Sequence, residues 1–262
     1  MTRLPLDFGC GSLKLAGTLD TAPGTTGLLI VSGGNEIRAG AFSGQSLLAA
    51  RIARTGFPVF RFDRRGIGDS EGENRGFRHS HSDIAAALKA FRAIAPQVDR
   101  VVGFGNCDAA SALMLAQGAG LDALVLSNPW TIEQDAAADG SDPVPPASAI
   151  RARYAEKLKN PREVVRLLRG GVDLAKLGRG LVRSLAPAPA PSSLTGEMRA
   201  GLAAYDGPVR FLLATADRTA QVFEENWGGD SRIERCEGAG HAYDRPEHRD
   251  WLDARILAAL RA

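Results

Sequence analysis

The sequence predicts an α/β protein: a mostly parallel sheet with helices on both faces, interrupted late in the chain by a helical insertion. Three observations carry this. Short continuous apolar runs recur, as strands buried on both faces require. Helix-spaced apolar segments alternate with them, the pattern of right-handed βαβ crossovers. The alternation stops at Asn128-Pro129 and resumes near Val209.

In order, residues 12–19 alternate weakly and read as an early edge strand. Leu28 to Ser32 is a buried run that ends in Gly33-Gly34. Leu47, Leu48 and Ile52 then share one face of a helix over 43–55 that stops at Gly56. Pro58 to Asp63 is the next strand. A glycine- and charge-rich loop, Asp63-Arg64-Arg65-Gly66-Ile67-Gly68-Asp69-Ser70, follows it. Ser80 or Ser82 caps a helix reaching Ile94, with Ile84, Leu88 and Phe91 on one face. Arg100 to Gly105 is a strand, 108–118 a helix of small residues, and Ala123 to Ser127 another buried strand.

Residues 133–148 read as loop, and 148–185 as two or three amphipathic helices. One of these starts at Asn160-Pro161-Arg162-Glu163, with an Asn cap, Pro at the first position and Glu at the third. An Ala-Pro spacer over 186–191 leads back to the sheet. Val209 to Thr215 and Arg232 to Arg235 are the last strands, and a helix from Pro246 to Leu260 ends the pattern. The expected organisation is a core of 1–130 and 200–262 with a cap over 131–199.

At 262 residues and 44% hydrophobic, the chain can bury one sizeable core. A net charge of +2 argues against nucleic acid as the main partner. No run nears the roughly 20 apolar residues that cross a bilayer. Three cysteines, odd in number and far apart, make no disulfide framework and fit a reducing, cytoplasmic setting. His79 and His81 have no matching carboxylate or Cys spacing, so neither a metal nor another cofactor is expected.

The chemistry centres on Gly105-Asn106-Cys107-Asp108-Ala109. This has the shape of a nucleophile elbow, with Cys107 in the place of Ser and Ala109 in that of the second Gly. Small residues two positions either side let strand and helix approach. The helix N-terminus favours the thiolate, which is the reactive form. Asp217 and His241 also fall just past predicted strand ends, at the edge where open α/β sheets bind ligands. A nucleophile, a His that moves protons and an acid that orients the His form a working set. The oxyanion would be held by the N–H of Asp108 and that of Gly34 or Asn35. Glu36, Asn106, Asn128 and Trp130 are candidates to line the substrate. Asp63, Arg65 and Ser70 are expected to brace their loop, and Asp217 could equally serve as a helix cap.

These motifs, with Gly238-Ala239-Gly240-His241, resemble the α/β-hydrolase superfamily over almost the whole chain. More narrowly, Ser32-Gly33-Gly34-Asn35-Glu36 with Phe62-Asp63-Arg64-Arg65-Gly66 and Gly-Asn-Cys-Asp-Ala-Ala is similar to the exosortase A system-associated hydrolases, type 1. The resemblance implies an α/β-hydrolase fold and a bacterial exopolysaccharide setting, but no substrate. The expected activity is acyl hydrolysis or transfer on a small ester, thioester or lactone. A catalytically silent ligand-binding homologue and a scaffold for a membrane assembly are the alternatives. Arg151, Arg153, Lys157, Lys159, Arg162 and Arg166 make the cap basic, suiting an anionic or lipid-linked substrate or a peripheral membrane contact.

Overall fold

The computed structural model describes residues 2–132 and 193–262. They form an eight-stranded sheet with strands β1 (Arg3–Cys10), β2 (Leu13–Asp20), β3 (Thr26–Val31), β4 (Val59–Phe62), β5 (Arg100–Asn106), β6 (Ala123–Ser127), β7 (Val209–Ala214) and β8 (Ile233–Cys236). The spatial order is β1-β2-β4-β3-β5-β6-β7-β8. The first two strands join antiparallel, and β4 through β8 run parallel. The helices among the described residues are α1 (Gly44–Arg54), α2 (His81–Ile94), α3 (Asp108–Leu115), α4 (Ser193–Ala203), α5 (Arg218–Trp227) and α6 (Pro246–Arg261).

Apolar residues on both faces of the central strands build two cores. Leu29 and Val31 of β3 pack with α2, α3, α4 and α5; Leu28 and Ile30 pack with α1 and α6. The period-2 geometry of a strand sends successive side chains to opposite faces, so a continuous apolar run serves both layers.

The expected elements appear with ends shifted by a residue or two, and three differ in kind. The strand over 12–19 is not the edge. β1, hidden by Pro5 and Gly9, lies outside it, where a proline is tolerated because the outward N–H is not needed. The helix after Cys107 ends at Leu115 and gives way to a 3₁₀ turn, Gln117–Gly120, because Gly118 and Ala119 leave helical geometry. The expected domain boundary at 199/200 falls inside α4. Leu194 and Met198 belong to the main core, and a Cβ on Gly201 would come within 2.2 Å of the Met114 carbonyl oxygen. The expected loop over 133–148, cap helices over 148–185, their basic side chains and the 186–191 spacer lie outside the described residues.

The parallel strands all point their C-terminal ends to one edge. That edge receives the loop after β3, the β5–α3 turn, the β7–α5 turn and the loop after β8. Asp63 and Ser70 brace the neighbouring loop as expected. Ser70 Oγ donates to the Asp63 carbonyl at 2.7 Å and accepts from the Ala16 N–H at 2.9 Å. The Asp63 carboxylate, fully buried, pairs with Arg38 and accepts from the Asp69 N–H at 3.1 Å.

The β5–α3 turn leaves no room for a side chain at Gly105. A Cβ on Gly105 would sit 2.7 Å from Ala109 C and Ala110 N, backbone atoms that cannot swing aside. Gly105→Ala is therefore expected to lower unfolding free energy by about 3 kcal/mol, as overpacking against rigid backbone does. Urea denaturation at neutral pH checks it; an unchanged midpoint would refute the close packing.

Candidate active site

Cys107 stands between β5 and α3 with φ 62° and ψ −129°. Non-glycine residues rarely adopt a positive φ, and holding one there costs about 1–3 kcal/mol. The local contacts enforce it. The Cys107 N–H donates to the Ser127 carbonyl at 3.0 Å, and its carbonyl accepts from the N–H groups of Ala110 at 3.1 Å and Trp130 at 3.3 Å. The turn lifts the side chain out of the sheet, and the thiol is half-buried.

His241 follows β8 in a glycine-rich loop and faces Cys107 from across the edge. Its Nδ1 lies 3.0 Å from Asp217 Oδ2. Asp217 is 8% exposed and sits at the N-cap of α5, where the same Oδ2 accepts from the Ala220 N–H at 3.1 Å. Cap and imidazole partner, the two readings of this residue, are thus both realised by one oxygen. The Asp217 carboxylate, and next to it a hydrogen bond with Cys107, raise the His241 pKa from 6.5 to about 10 against the opposing effect of burial. The ring thus faces the Asp217 carboxylate through Nδ1, and Cys107 is its next neighbour.

The structure places the other expected site residues differently. The Gly34 N–H donates to Asp108 Oδ1 at 2.6 Å, so the amide expected to hold an oxyanion already holds a carboxylate. Arg64, buried to 4% exposure, donates to the Gly34 carbonyl and stands 3.5 Å from Asp108 Oδ2. The Asn35 and Asp108 N–H groups have no acceptor among the described residues. The Asn35 side chain accepts from Asn74 Nδ2 at 2.9 Å. Gly33 must be a glycine here: a Cβ would lie 2.8 Å from both Asp108 Oδ1 and the Asn106 carbonyl oxygen.

The four substrate-lining candidates mostly serve the scaffold. Glu36 is exposed and its Oε2 accepts from the Ala41 N–H at 3.2 Å, closing its own turn. Asn128 is fully buried with φ 43°. Its Nδ2 donates to Asn106 Oδ1 at 2.9 Å and its Oδ1 accepts from the Ala214 N–H at 2.9 Å. Asn106 Nδ2 donates to the His241 carbonyl at 3.3 Å. The two asparagines are therefore a brace that ties β5, β6 and β7 to the histidine loop. Trp130 turns its Nε1 to the Ile132 carbonyl at 2.7 Å and packs against the core.

Sequence reasoning missed Arg64 as a neighbour of the elbow, and Tyr243, whose buried hydroxyl lies 3.1 Å from Ser127 Oγ under the histidine loop. Motif position marked Arg64 only as a loop residue. Nothing in the spacing marks Tyr243. Among the described residues no group of His, Cys, Asp and Glu could hold a metal ion.

The chain matches the family model described as "Alpha/beta hydrolase family" over residues 28–254, and it belongs to that family. It is a hydrolase by that membership. Solved structures agree on the fold. Esterase Pf2001 of Pyrococcus furiosus is 16% identical, with 99% of this chain and 91% of that one covered and a TM-score of 0.63. The α/β-hydrolase GrgF from Penicillium sp. sh18 is 17% identical over 100% and 98%, with a TM-score of 0.64. The thioesterase domain from the curacin biosynthetic pathway is 12% identical over all of both chains, with a TM-score of 0.55. No curated protein sequence matches this chain.

Two predictions follow from this geometry. The His241 pKa is raised above its unfolded value, so the stability it adds is fully present below about pH 6.5. It is lost as pH rises toward about 10. The unfolding free energy of wild type relative to His241→Gln, measured in urea from pH 6 to pH 10, should shrink with pH; a constant difference refutes the ion pair. Separately, Asp108→Ala frees the Gly34 N–H. A carboxylate on that donor competes with a developing oxyanion, so kcat on a small ester should rise by up to about tenfold. A fall would show that the carboxylate's hold on the glycine loop matters more.

Proposed function

We propose that this protein transfers or hydrolyses acyl groups of small esters or thioesters through a covalent thioester on Cys107, with His241 and Asp217 as its partners. The observation that carries the reading is the 3.0 Å Asp217–His241 pair beside Cys107, which stands at a strained elbow on the C-terminal edge of the sheet.

The chemistry balances with these groups. The Cys107 sulfur, as thiolate beside the imidazolium, attacks the acyl carbon, and the carbonyl π electrons move to oxygen. The Asp108 N–H and one amide of the Gly33–Asn35 loop are the proposed donors to that oxyanion. Collapse expels the alcohol or thiol, which takes the Nε2 proton of His241. Neutral imidazole then accepts a proton from water or an alcohol acceptor as that oxygen attacks the thioester carbon. Collapse of the second intermediate releases the acid or new ester and restores the ion pair. Asp217 keeps the ring oriented and stabilises its charge throughout. A thioester intermediate keeps acyl-transfer reactivity, so a glycan or lipid-linked acceptor of the kind the exosortase-associated resemblance implies fits the same steps. A reducing, cytoplasmic compartment would keep the thiol free.

One observation favours a second reading, a fold that retains ligand binding without turnover: the Gly34 amide is occupied by Asp108. Intact mass spectrometry after incubation with short-chain p-nitrophenyl esters and acyl thioesters separates the two. The acyl-enzyme reading expects a mass increase of one acyl group, mapped to Cys107 and absent in Cys107→Ala. It also expects His241→Ala to lower kcat by at least about a hundredfold. Iodoacetamide should label Cys107 ahead of Cys10 and Cys236, whose thiols burial pushes up in pKa and out of reach. No adduct with any donor, together with slow labelling of Cys107, would leave only the binding reading.

A further inference from the structure

Between the end of β3 and the first buried residues of α1, the chain crosses the edge of the sheet without an apolar anchor. No residue from Gly33 to Leu47 is buried; Phe42 is fully exposed, and Ile37 and Leu47 are about half exposed. Burial of apolar surface, the dominant favourable force in folding, does not fix this stretch. Yet the stretch begins with the Gly33–Asn35 loop, which touches the elbow. A Cβ on Gly33 would come within 2.8 Å of the Asn106 carbonyl oxygen and of Asp108 Oδ1. Polar contacts must therefore set the place of the loop.

Those contacts converge on Arg38. Its N–H donates to Asp63 Oδ1 at 2.5 Å, and its guanidinium pairs with the other oxygen of the same fully buried carboxylate. Nε donates to Thr18 Oγ1 of β2 at 3.0 Å, and Nη2 stands 2.9 Å from Asp69 Oδ2. The Arg38 carbonyl accepts from Nη1 of Arg61 at 2.6 Å. Arg61 is 2% exposed in β4, and its Nη2 is held by Asp20 Oδ2 at 3.2 Å. Residue 38 is thus gripped at its N–H, its carbonyl and its side chain by two strands and the loop after β4.

Little slack separates this grip from the glycines. The Glu36 N–H closes a turn onto the Gly33 carbonyl at 3.1 Å, and the Gly40 N–H closes the next onto the Ile37 carbonyl at 2.8 Å. Past Arg38 the backbone is strained, with φ 49° at Phe42 and 61° at Ser43. Strain of this kind persists only where the surroundings impose it. Here Arg38 holds one side, and Arg3, whose Nη1 donates to Ser46 Oγ at 2.7 Å, holds the other.

A buried ion pair gains little net stability over apolar residues, because desolvation offsets the attraction. A guanidinium bonded at several points does fix an orientation. Orientation is what acyl chemistry needs, since a 1 Å misplacement of a participating group costs about a hundredfold in rate. We propose that Arg38 is a positioning residue for that chemistry: clamped by Asp63, it holds the Gly33–Asn35 loop against the elbow, so that a loop amide stands where the oxyanion forms. The proposal rests on the acyl-enzyme reading.

The test uses the full chain with Arg38→Met, and with Arg38→Met joined to Asp63→Asn so that no buried carboxylate is left unpaired. On a short-chain p-nitrophenyl ester, kcat should fall about ten- to a hundredfold with KM within about twofold, the pattern of a lost transition-state interaction. Alkylation of Cys107 by iodoacetamide develops no oxyanion, so its rate should stay within about twofold of wild type. Arg38→Lys keeps the charge without the fork and should recover part of kcat. An unchanged kcat, a change in KM alone, or a fall in alkylation that matches the fall in kcat overturns the positioning role. Amide hydrogen exchange reads the clamp without turnover. The Gly34, Glu36 and Gly40 amides should exchange at least about tenfold faster in the double variant while those of α3 do not change; equal exchange overturns the clamp. A wild type inert toward every ester sinks the acyl-enzyme reading and the catalytic role of Arg38 with it, whereas turnover that survives both variants sinks the role of Arg38 alone.

Discussion

Everything at this edge depends on a backbone conformation that a cysteine does not choose for itself. Cys107 is held at positive φ because β5 and α3 meet without room for a relaxed turn. Gly105, Ala109 and Gly33 are small for that single reason. The strain is offset by the packing of the surrounding sheet, where Val102, Phe104, Val125 and Leu126 are all but fully buried. What the strain delivers is position: the sulfur stands above the strand ends, within reach of a loop that arrives more than a hundred residues later in the chain.

Charge organises what geometry has gathered. The Asp217 carboxylate pushes the His241 pKa up. On the other side of the elbow, Asp108 carries a second negative charge at the start of α3, close to Arg64. The helix dipole tolerates that carboxylate well, and the Gly34 N–H and Arg64 give it partners. The site therefore carries two opposed carboxylate–cation pairs flanking one sulfur. Buried asparagines complete the arrangement. Asn128 and Asn106 convert the ends of three strands into a fixed support for the His241 carbonyl.

Much of this was legible in the sequence, for a physical reason. Strands buried on both faces must be apolar without interruption, so β3, β5 and β6 announce themselves. The sterics of the elbow demand small residues at fixed offsets, so Cys107 does as well. Asp217 and His241 could be found because parallel strands put their following loops on one edge. β1 was hidden because an edge strand with one solvent-facing side tolerates Pro5 and Gly9. The scaffold bonds of Glu36, Asn106 and Asn128 were not legible because proximity to a motif does not say which way a polar side chain turns. Asn128 shows the difficulty: nothing in Ser127-Asn128-Pro129 tells of a side chain satisfied on both ends by backbone and amide. The occupied Gly34 amide was equally invisible, since it depends on which way the Asp108 carboxylate swings.

The pairing of a cysteine nucleophile with an acidic neighbour has its own logic. A serine needs its histidine neutral, because the hydroxyl proton must leave during attack. A thiol gives its proton up beforehand, so a histidine held as imidazolium by Asp217 is useful to cysteine and would be a hindrance to serine. On the proposed acyl-enzyme reading, the raised His241 pKa and the Cys at position 107 belong together. The Asp108 carboxylate next to Cys107 is partnered by the Gly34 N–H and, at 3.5 Å, by Arg64.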